Sequence, residues 1–365
     1  MKVALGCGGT GGHIFPGLAT AETLRLRGHD VTLWMAGKDV EHAAVKDWPG
    51  AVVTVAAKGF ESISIRAVGT VWKLAVAIRT CRSLMRSNPP DVMLAMGSYA
   101  SVGPIGAAHA LAVPYVLHES NVVPGRAISL FARHAAAVAA CFEETRYHLR
   151  RREIVITGMP LRRGIVEAAA ASHRERGPDH VFTVLVMGGS RGAHAVNELV
   201  SGGMVRARKR GMKFRVLHLT GATDEEKIRT RYSDAGVNAE VHAFTHDMPA
   251  LYDAADLAIC RAGAATCAEL SEFGVPALLI PYPHAARDHQ MANARAMERA
   301  KTVDVVPEHD LGTGWLAQYL SHCMENPSRL KRMGEASRAR VTGSGAEALA
   351  DLVERVGSRR YARAT

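Results

Sequence analysis

The chain lacks the features that would assign it to several special classes of protein. Its six cysteines include no C-x-x-C pair, which excludes the common zinc and redox motifs. Residues 92–117 contain no Asp, Glu, Lys or Arg, but glycines and prolines interrupt them, so they do not predict a membrane span. The first residues predict a strand and a glycine loop, where a secretory signal would need a longer apolar core. We therefore expect free thiols in a reducing cytosol and a cytoplasmic protein.

Acidic residues are few relative to basic ones. The 365 residues include 45 Lys and Arg against 35 Asp and Glu, a formal net charge of +10. This excess favours an anionic partner, such as nucleic acid, a phosphorylated substrate or an acidic membrane, although a solvated basic surface is the alternative. The remaining composition, with 48% hydrophobic residues and 34 glycines, is typical of a globular α/β protein long enough for two domains.

One short pattern occurs twice, once in each half of the chain. Residues 2–5 lead into a glycine loop at 8–13, and residues 182–186 lead into a second loop at 188–192. In each copy a short apolar run predicts a buried strand, and a helical pattern follows the glycines. Glycines allow a backbone to approach a ligand, and the unpaired N–H groups at a helix start bind anions. Each loop is therefore a candidate phosphate site.

The order of the predicted elements indicates the fold class. Strands and helices alternate in both halves, as a parallel sheet requires. The sequence therefore predicts two Rossmann-like α/β domains whose parallel sheets face a cleft. We assign residues 1–160 to the first domain and residues 161–345 to the second, with a last helix, about 346–365, that packs back on the first.

A dinucleotide dehydrogenase is one interpretation of the first loop. Gly6, Gly8 and Gly11 fit the Rossmann fingerprint, but that fingerprint also needs an acidic residue at the end of the second strand to hold a ribose. The second strand ends near Met35 without one, and Asp39 comes late. This interpretation also leaves the second glycine loop unexplained.

The second half carries a further set of polar residues. Residues 256–270 predict a strand, a turn of small residues and a helix start, so a diphosphate can bind the amides of residues 264–266. Glu269, one helical turn later, can accept hydrogen bonds from ribose hydroxyls. Residues 284–293 then concentrate hydrogen-bonding side chains in a short stretch, as sugar recognition requires.

Six motifs follow one another along nearly the whole chain: GTGGHxxPGLA at 9–19, MGSY at 96–99, HESN at 118–121, GGS at 188–190, CRAGA at 260–264 and DHQxxNA at 288–294. This series resembles that of the MurG family of peptidoglycan synthesis. The resemblance implies the GT-B glycosyltransferase fold and an inverting transfer of GlcNAc from UDP-GlcNAc to lipid I, undecaprenyl-pyrophosphoryl-MurNAc-pentapeptide, to give lipid II. It also implies peripheral attachment to the cytoplasmic face of the cell membrane, on an anionic surface, and no nucleic-acid partner.

Carried over position by position, the resemblance implies roles for particular residues. The catalytic residues would be His13 and Glu119. The acceptor and diphosphate side would include Thr10, Gly11, Gly12 and Tyr99. UDP-GlcNAc would be bound by Thr10, Gly12, Asn121, Arg162, Ser190, Phe244, Thr245, Ala264, Ala265, Thr266, Glu269, His289 and Gln290. Within that set, Phe244 and Thr245 would lie near the uracil and Glu269 would hold the ribose.

Five positions depart from the commoner family pattern. A serine replaces a glycine at 98 and a glutamine at 120, a methionine replaces an asparagine at 159, an arginine replaces a glutamine at 191, and an alanine replaces a serine at 262. None removes a charged group with an implied role. They affect the loop around Tyr99 and the donor contacts near Arg191, because serine restricts the backbone and arginine adds a possible phosphate contact.

The transfer needs a base to take the proton of the acceptor hydroxyl and a site that stabilises the departing UDP. His13 has a suitable unperturbed pKa, and Glu119 could be the base or could orient His13. The sequence does not rank the two. No D-x-D pair of acids indicates a metal-dependent donor site. We therefore expect no required cofactor and no protein-bound metal, with Mg²⁺ at most stimulatory.

A basic amphipathic stretch is a candidate for membrane attachment. Between Ile63 and Met85, apolar residues that include Trp72 are interleaved with basic ones such as Arg79 and Arg82. Such a stretch can lie on anionic lipid. A core helix with a solvated basic face is the alternative.

Two other functions remain open on the sequence alone. A UDP-GlcNAc 2-epimerase would keep the donor site, but the acceptor-side set of His13, Tyr99, Glu119 and Asn121 argues against it, and the acidic residue expected of epimerases after the first strand is missing. A non-catalytic nucleotide-sugar-binding subunit that recruits partners to the membrane would usually lack one half of the site. Here both halves carry their polar residues.

Overall fold

The computed structural model describes residues 1–55, 67–149, 153–172, 176–177, 179–189, 193–341 and 343–364. The chain forms two compact units: unit 1 comprises Met1–Arg162 and Gly343–Thr365, and unit 2 comprises Arg163–Thr342. The sequence placed the divisions after residues 160 and 345. The expected roles of the two domains, with the first facing the acceptor and the membrane and the second binding UDP-GlcNAc, remain predictions.

Unit 1 begins with alternating strands and helices. Its strands are β1 (Lys2–Gly6), β2 (Asp30–Met35), β3 (Val52–Thr54), β4 (Val92–Ala95), β5 (Tyr115–Glu119), β6 (Ala137–Ala140) and β7 (Ile154–Ile156). Its helices before residue 163 are α1 (Gly11–Leu26), α2 (Asp39–Ala44), α3 (Ala67–Ser87), α4 (Val102–Ala110) and α5 (Arg126–Phe131). Short 3₁₀ turns cover Tyr99–Ser101, Ala132–His134 and Glu143–Tyr147.

The seven strands of unit 1 form one parallel sheet in the order β3-β2-β1-β4-β5-β6-β7. Val3 of β1 pairs with Val31 of β2 on one side and with Val92 of β4 on the other. The strand order therefore reverses beside β1. In open α/β sheets, ligands bind outside the carboxyl ends of the strands at such a reversal, which is where the first glycine loop leaves β1.

Unit 2 repeats this arrangement. Its strands are β8 (Thr183–Met187), β9 (Arg215–Leu219), β10 (Asn238–His242), β11 (Leu257–Cys260), β12 (Ala277–Leu279) and β13 (Val303–Val305). Its helices are α6 (Arg163–Ala171), α7 (His194–Lys209), α8 (Glu225–Asp234), α9 (Met248–Ala254), α10 (Ala264–Phe273), α11 (His289–Arg299), α12 (Thr313–Glu325) and α13 (Pro327–Arg338). The parallel order is β10-β9-β8-β11-β12-β13, so the reversal lies between β8 and β11. The predicted fold class, with two parallel α/β units, is confirmed.

The last helix, α14 (Gly345–Ala364), belongs to unit 1 and packs on α1. Arg27, at the end of α1, is paired with three acidic residues of α14: it donates to Asp351 at 2.7 Å and to Glu354 at 3.0 Å, and it also contacts Glu347. The apolar face of α14, which includes Leu349 and Val353, is fully buried against the sheet. This face and the ion pairs hold the end of the chain to its beginning.

Helix α3 packs on α4 through small residues. A Cβ added at Gly106 would lie 2.7 Å from the Ile78 side chain, and one at Gly103 would lie 3.1 Å from Cys81 Sγ, so glycine permits the close approach. Arg79 and Arg82 are exposed. Residues 63–66 of the predicted membrane stretch lie outside the described residues, and Trp72 is described only as part of the α3 backbone. Within the described chain, no helix combines the length and apolarity needed to cross a bilayer.

Candidate functional site

The first glycine loop joins β1 to α1 at the carboxyl end of the sheet. Gly9 has a φ of +128°, a conformation that L side chains rarely adopt. Thr10 is extended and precedes the helix, and its carbonyl oxygen accepts from the His13 amide at 2.9 Å. The first N–H groups of α1, at Gly11 and Gly12, have no partner within the helix and can donate to an anion.

His13 lies on the first turn of α1. Its Nδ1 is 3.0 Å from Thr10 Oγ1. The ring is half-buried, and loss of water lowers the pKa of His13 to about 4, so the imidazole is neutral at pH 7. A neutral imidazole with one nitrogen hydrogen-bonded to a hydroxyl can accept a proton on its other nitrogen.

Glu119, at the end of β5, is buried and binds its own loop. Its Oε1 accepts from the Asn121 amide at 2.9 Å and from Asn121 Nδ2 at 3.3 Å, and its Oε2 accepts from the Gly125 amide at 2.8 Å. Burial raises the pKa of Glu119, and these hydrogen bonds oppose that rise. Among the described residues, none of its hydrogen bonds goes to His13. The side chain that contacts His13 is Thr10.

The loop around Tyr99 accommodates the serine that departs from the family pattern. Ser98 is buried, and its hydroxyl donates to the carbonyl oxygen of Gly8. Ser98, in the loop after β4, therefore supports the first glycine loop through this hydrogen bond. Tyr99 opens the following 3₁₀ turn with 43% of its surface exposed.

Arg162 and Phe15 form a contact that sequence reasoning missed. The Arg162 guanidinium lies 5.3 Å from the centre of the Phe15 ring, in a cation–π arrangement. A Cβ added at Gly11 would be 3.2 Å from a carbon of that ring, so the ring lies beside the start of α1. In the sequence, the available signal for this contact was that Phe15 is an apolar residue two positions after His13 of the first motif.

In unit 2, α10 begins directly after the β11 turn. Gly263 is extended, and Ala264, Ala265 and Thr266 are the first three residues of the helix, half-buried and with N–H groups that have no partner within it. The helix ends at Gly274, whose φ of +61° forms a left-handed cap. The N–H groups and the positive dipole end at the start of α10 form the geometry of an anion site.

Glu269 is held by a tyrosine that sequence reasoning did not identify. Tyr252 is fully buried and donates its hydroxyl to Glu269 Oε2 at 2.7 Å. Burial and the neighbouring carboxylate raise the pKa of Tyr252 well above 10, so the hydroxyl stays protonated and remains a donor. The Glu269 carboxylate is therefore fixed one turn after the start of α10.

The start of α11 supports Gln290 and His289. Gln290 Oε1 accepts from the Ala262 amide at 3.2 Å and from the Tyr282 amide at 3.0 Å, so its acceptor is used by the protein and its NH₂ group is the donor left for a ligand. His289 Nδ1 lies 2.8 Å from the Ala286 carbonyl oxygen. That nitrogen therefore carries a proton, which leaves Nε2 as the acceptor of the neutral ring.

Two strained residues precede α11. Arg287 and Asp288 have φ values of +56° and +54°, although neither is glycine. Consecutive left-handed residues cost free energy and persist where the surroundings impose them, often at ligand sites. The Asp288 side chain makes no cap hydrogen bond to α11.

The buried Arg261 forms an ion pair with the partly exposed Glu308, and this pair also escaped sequence reasoning. Arg261 is 7% exposed and donates to the carbonyl oxygens of Ile280 at 3.1 Å and Pro281 at 3.2 Å, and it is paired with Glu308. Its guanidinium also lies 5.3 Å from the Tyr282 ring centre. The pair fixes the carboxyl ends of β11 and β12.

The remaining predicted donor residues lie in two loops. Phe244 follows β10, is 65% exposed, and its ring meets the His246 ring edge-on at 5.0 Å. Thr245 Oγ1 accepts from the Asp247 amide at 3.0 Å. Ser190 and Arg191 lie outside the described residues.

Within unit 1 the structure joins His13 to Thr10 and Glu119 to Asn121, and it places Arg162 on Phe15 of the helix that carries His13. Within unit 2 it joins Gln290 to Ala262 of the turn before α10. No hydrogen bond joins Phe244 or Thr245 to the α10 residues in the described part of unit 2.

Comparison with known proteins shows similarity over both units. Residues 3–140 match the Glycosyltransferase family 28 N-terminal domain, and residues 183–356 match the Glycosyltransferase family 28 C-terminal domain. The UDP-N-acetylglucosamine--N-acetylmuramyl-(pentapeptide) pyrophosphoryl-undecaprenol N-acetylglucosamine transferase of Geobacter sulfurreducens is 36% identical, with 96% of this chain and 97% of that protein covered. The transferase of the same name from Myxococcus xanthus is 34% identical, with 96% and 92% covered.

Solved structures agree with these matches. A crystal structure of Acinetobacter baumannii MurG is similar with a TM-score of 0.82 and 27% identity, over 97% of this chain and 99% of that one. A UDP-GlcNAc 2-epimerase from Neisseria meningitidis bound to UDP-GlcNAc shares the fold, with a TM-score of 0.68 and 13% identity over 96% of this chain and 99% of the other.

Proposed function

The chain belongs to the family of UDP-N-acetylglucosamine--N-acetylmuramyl-(pentapeptide) pyrophosphoryl-undecaprenol N-acetylglucosamine transferases, and from this membership we propose that it transfers GlcNAc from UDP-GlcNAc to lipid I. Identity above 30% over nearly the whole of both chains carries the proposal. The epimerase shares the fold at 13% identity, which supports the architecture alone.

Unit 2 supplies the groups for the donor. The diphosphate accepts hydrogen bonds from the amides at the start of α10, where the helix dipole favours negative charge. Glu269, held by Tyr252, accepts from the ribose hydroxyls. Gln290, whose oxygen is already bonded to the backbone, donates its NH₂ group to the sugar. Because each group is fixed before the donor arrives, binding loses little side-chain entropy.

Unit 1 supplies the base. When His13 Nδ1 donates its proton to Thr10 Oγ1, Nε2 carries the lone pair that accepts the proton of the acceptor hydroxyl. As the hydroxyl oxygen attacks the anomeric carbon, the bond to UDP breaks on the opposite face, and the configuration inverts. We assign Glu119 to holding the loop of residues 120–125, since its oxygens accept from that loop.

Charge that develops on the departing UDP needs stabilisation. The start of α10 and the guanidinium of Arg162 are the candidates, since Arg162 is exposed and always charged. With the positive dipole end of α10 and the Arg162 cation, the proposed reaction requires no metal held by the protein, and Mg²⁺ acts at most on the free diphosphate.

Helix α3 is the proposed contact with an anionic membrane surface. Its inward face is buried, with Cys81 and Met85 fully inaccessible, while Arg79, Arg82 and the 42%-exposed Leu84 are on the surface. Basic residues interleaved with exposed apolar ones favour an interfacial position. The enzyme would then be peripheral on the cytoplasmic face, where its lipid-linked acceptor resides, without a nucleic-acid partner.

One reaction mixture distinguishes the candidate activities. Purified protein is incubated with UDP-GlcNAc and a short-chain lipid I analogue, and products are separated by mass and by sugar stereochemistry. We expect a disaccharide product and free UDP. Epimerised UDP-sugar would indicate the 2-epimerase, and saturable UDP-GlcNAc binding without turnover would indicate a binding subunit.

A further inference from the structure

A buried carboxylate occupies the first glycine loop. Glu41 of α2 is 1% exposed, and its oxygens accept hydrogen bonds from four backbone amides. These donors are Gly9 at 2.6 Å, Ala36 at 2.7 Å, Gly37 at 2.7 Å and Lys38 at 3.3 Å. Gly9 lies in the loop after β1, and the other three lie in the loop after β2, so one side chain joins the two loops.

The two loops leave no room for another anion at that point. A Cβ added at Gly8 would lie 2.8 Å from the Ala36 nitrogen and 3.0 Å from Glu41 Oε1. The Gly9 amide of this loop is already bonded to the Glu41 carboxylate, so the predicted phosphate site is left with the amides of Gly11 and Gly12 and stays a prediction.

The hydrogen bond to Gly9 restrains the residues that follow it. Gly9, with its φ of +128°, is flanked by two hydrogen bonds. Its amide donates to the Glu41 carboxylate, and the carbonyl oxygen of Gly8 accepts from the Ser98 hydroxyl. The next residue, Thr10, immediately precedes α1, and its hydroxyl contacts His13 Nδ1. A shift at Gly9 would therefore move both Thr10 and the imidazole.

We propose that Glu41 is a positioning residue for the transfer reaction: its carboxylate fills the anion cradle of the first glycine loop and so fixes Thr10 and His13 for the acceptor. This inference rests on the proposed function. At Gly9 the first glycine loop is closed by this internal anion.

Two substitutions of Glu41 separate its charge from its length. Glu41→Gln keeps the size but places an NH₂ donor against backbone N–H donors, so at least one amide loses its acceptor. Glu41→Asp keeps the charge and both carboxylate oxygens but shortens the side chain by one methylene. Glu22→Gln is the matched control, because Glu22 is exposed on α1 and the change removes the same charge from the same unit.

The test is steady-state kinetics with UDP-GlcNAc and a short-chain lipid I analogue, together with UDP binding by calorimetry. We expect Glu41→Gln to lower kcat roughly 10-fold to 100-fold, because small misplacement of a catalytic group has effects of that order. Donor KM and UDP affinity should stay within about twofold of wild type, since the donor binds unit 2. Glu41→Asp should recover a substantial part of kcat, and Glu22→Gln should match wild type.

Three results would overturn the inference. The first is a kcat of Glu41→Gln within about twofold of that of the control Glu22→Gln. The second is a loss of UDP affinity in Glu41→Gln as large as its loss of kcat, and the third is a kcat of Glu41→Asp no higher than that of Glu41→Gln. If Glu41→Gln does not fold, amide hydrogen exchange in the wild-type protein tests the inference instead. The Gly9 amide, bonded to Glu41, should exchange far more slowly than the Gly12 amide at the open start of α1. Equal exchange rates would refute the contact between Glu41 and Gly9. Absence of transfer by wild type contradicts the proposed function instead, and the exchange experiment still tests the loop.

Discussion

His13 and Glu119 differ in what their side chains are bonded to, and the difference separates two roles that the sequence left equal. His13 has one nitrogen on Thr10 and the other available, whereas the carboxylate of Glu119 accepts from its own loop. His13→Ala should therefore lower turnover on the order of 10²–10⁴-fold with UDP affinity intact. His42→Ala, an exposed histidine of α2, is the control. Retention of more than about a tenth of turnover by His13→Ala would remove it as the base.

The low pKa of His13 makes a second prediction about the same residue. Because protonated imidazole cannot accept a proton, kcat/KM should fall only as the pH drops toward about 4, the pKa of His13, rather than near its ordinary value of about 6.5. Initial rates from pH 8 to 4.5, with circular dichroism at each pH as a folding control, give the profile. An acidic limb near 6.5 would show that His13 is hydrated or is not the base.

Glu269 and Gln290 should act on different parts of the donor. Glu269→Ala should weaken UDP itself, while Gln290→Ala should weaken UDP-GlcNAc but barely change UDP, each by about 1–3 kcal/mol for a lost hydrogen bond. Glutamate at 290 would keep the acceptor for the Ala262 and Tyr282 amides, but its negative charge would repel the diphosphate, so alanine separates the two ligands better. Calorimetric titration with both ligands measures the effect. Wild-type UDP affinity in Glu269→Ala would exclude it from the ribose site.

The sequence identified several candidate residues but not what holds them in place. Glu269 and Gln290 belong to short local motifs, which a sequence displays directly. Their supports do not: Tyr252 is on a different helix from Glu269, and the partner of Arg261 is 47 positions away. Glu41 was overlooked because its interpretation depends on whether it faces a ligand or the backbone, and sequence spacing does not distinguish the two.

At the scale of elements, the repeated strand–loop–helix pattern predicted the centre of each sheet well. Strands β1, β4, β8 and β11 are buried apolar runs, and their hydrophobic signal is strong. The sequence analysis indicated no strand at β6, β7 or β13, where the signal is weaker. β6 consists of Ala-Val-Ala-Ala, which has little strand propensity, and β7 and β13 have three residues each, so pairing with neighbours decides them.

Helix α3 carries a prediction about membrane binding. Arg79→Glu with Arg82→Glu should weaken binding to anionic vesicles and activity on lipid-embedded acceptor, because each basic residue near the surface contributes roughly 1 kcal/mol. Activity on a short-chain soluble acceptor should be unchanged. Lys331→Glu with Arg332→Glu on α13 alters the net charge equally and serves as the control.

The salt dependence of vesicle binding is an independent test of the contact between α3 and the membrane. Wild-type binding should weaken as ionic strength rises from about 0.1 M to 1 M, because the Debye length falls from about 10 Å to 3 Å. Binding should not vanish if apolar residues such as Leu84 also insert. Co-sedimentation of the double variant equal to that of wild type would identify α3 as an ordinary helix with a solvated basic face.

For the whole molecule, each unit contains a fully buried neutral histidine, which links stability to pH. Burial lowers the pKa of His118 in unit 1 to about 4 and that of His218 in unit 2 to about 3. In the unfolded chain both titrate near 6.5, so protons bind the unfolded state first, and stability is lost as the pH falls below about 6.5. At pH 4.5 the loss should be about 2–3 kcal/mol for each histidine.

Denaturant unfolding between pH 7.5 and 4.5 measures this loss. His218→Gln should flatten the pH dependence of the unit 2 transition and leave that of unit 1 steep. Carboxylates with lowered pKa values, such as Asp224, lose their contribution at lower pH than the histidines and so do not account for a change above pH 5. A free energy of unfolding that is constant over this range would contradict the buried neutral state.

The return of α14 to unit 1 also determines the order in which the chain can fold during synthesis. Unit 2 is one continuous segment and can fold once it has left the ribosome, whereas unit 1 lacks α14 until residues 345–364 have been made. Until then the surface that receives Leu349 and Val353 stays open to water and to other chains. Although its strands are made first, unit 1 therefore closes after unit 2, and a ribosome that stalls within α14 releases a chain in which the core of unit 1 is exposed.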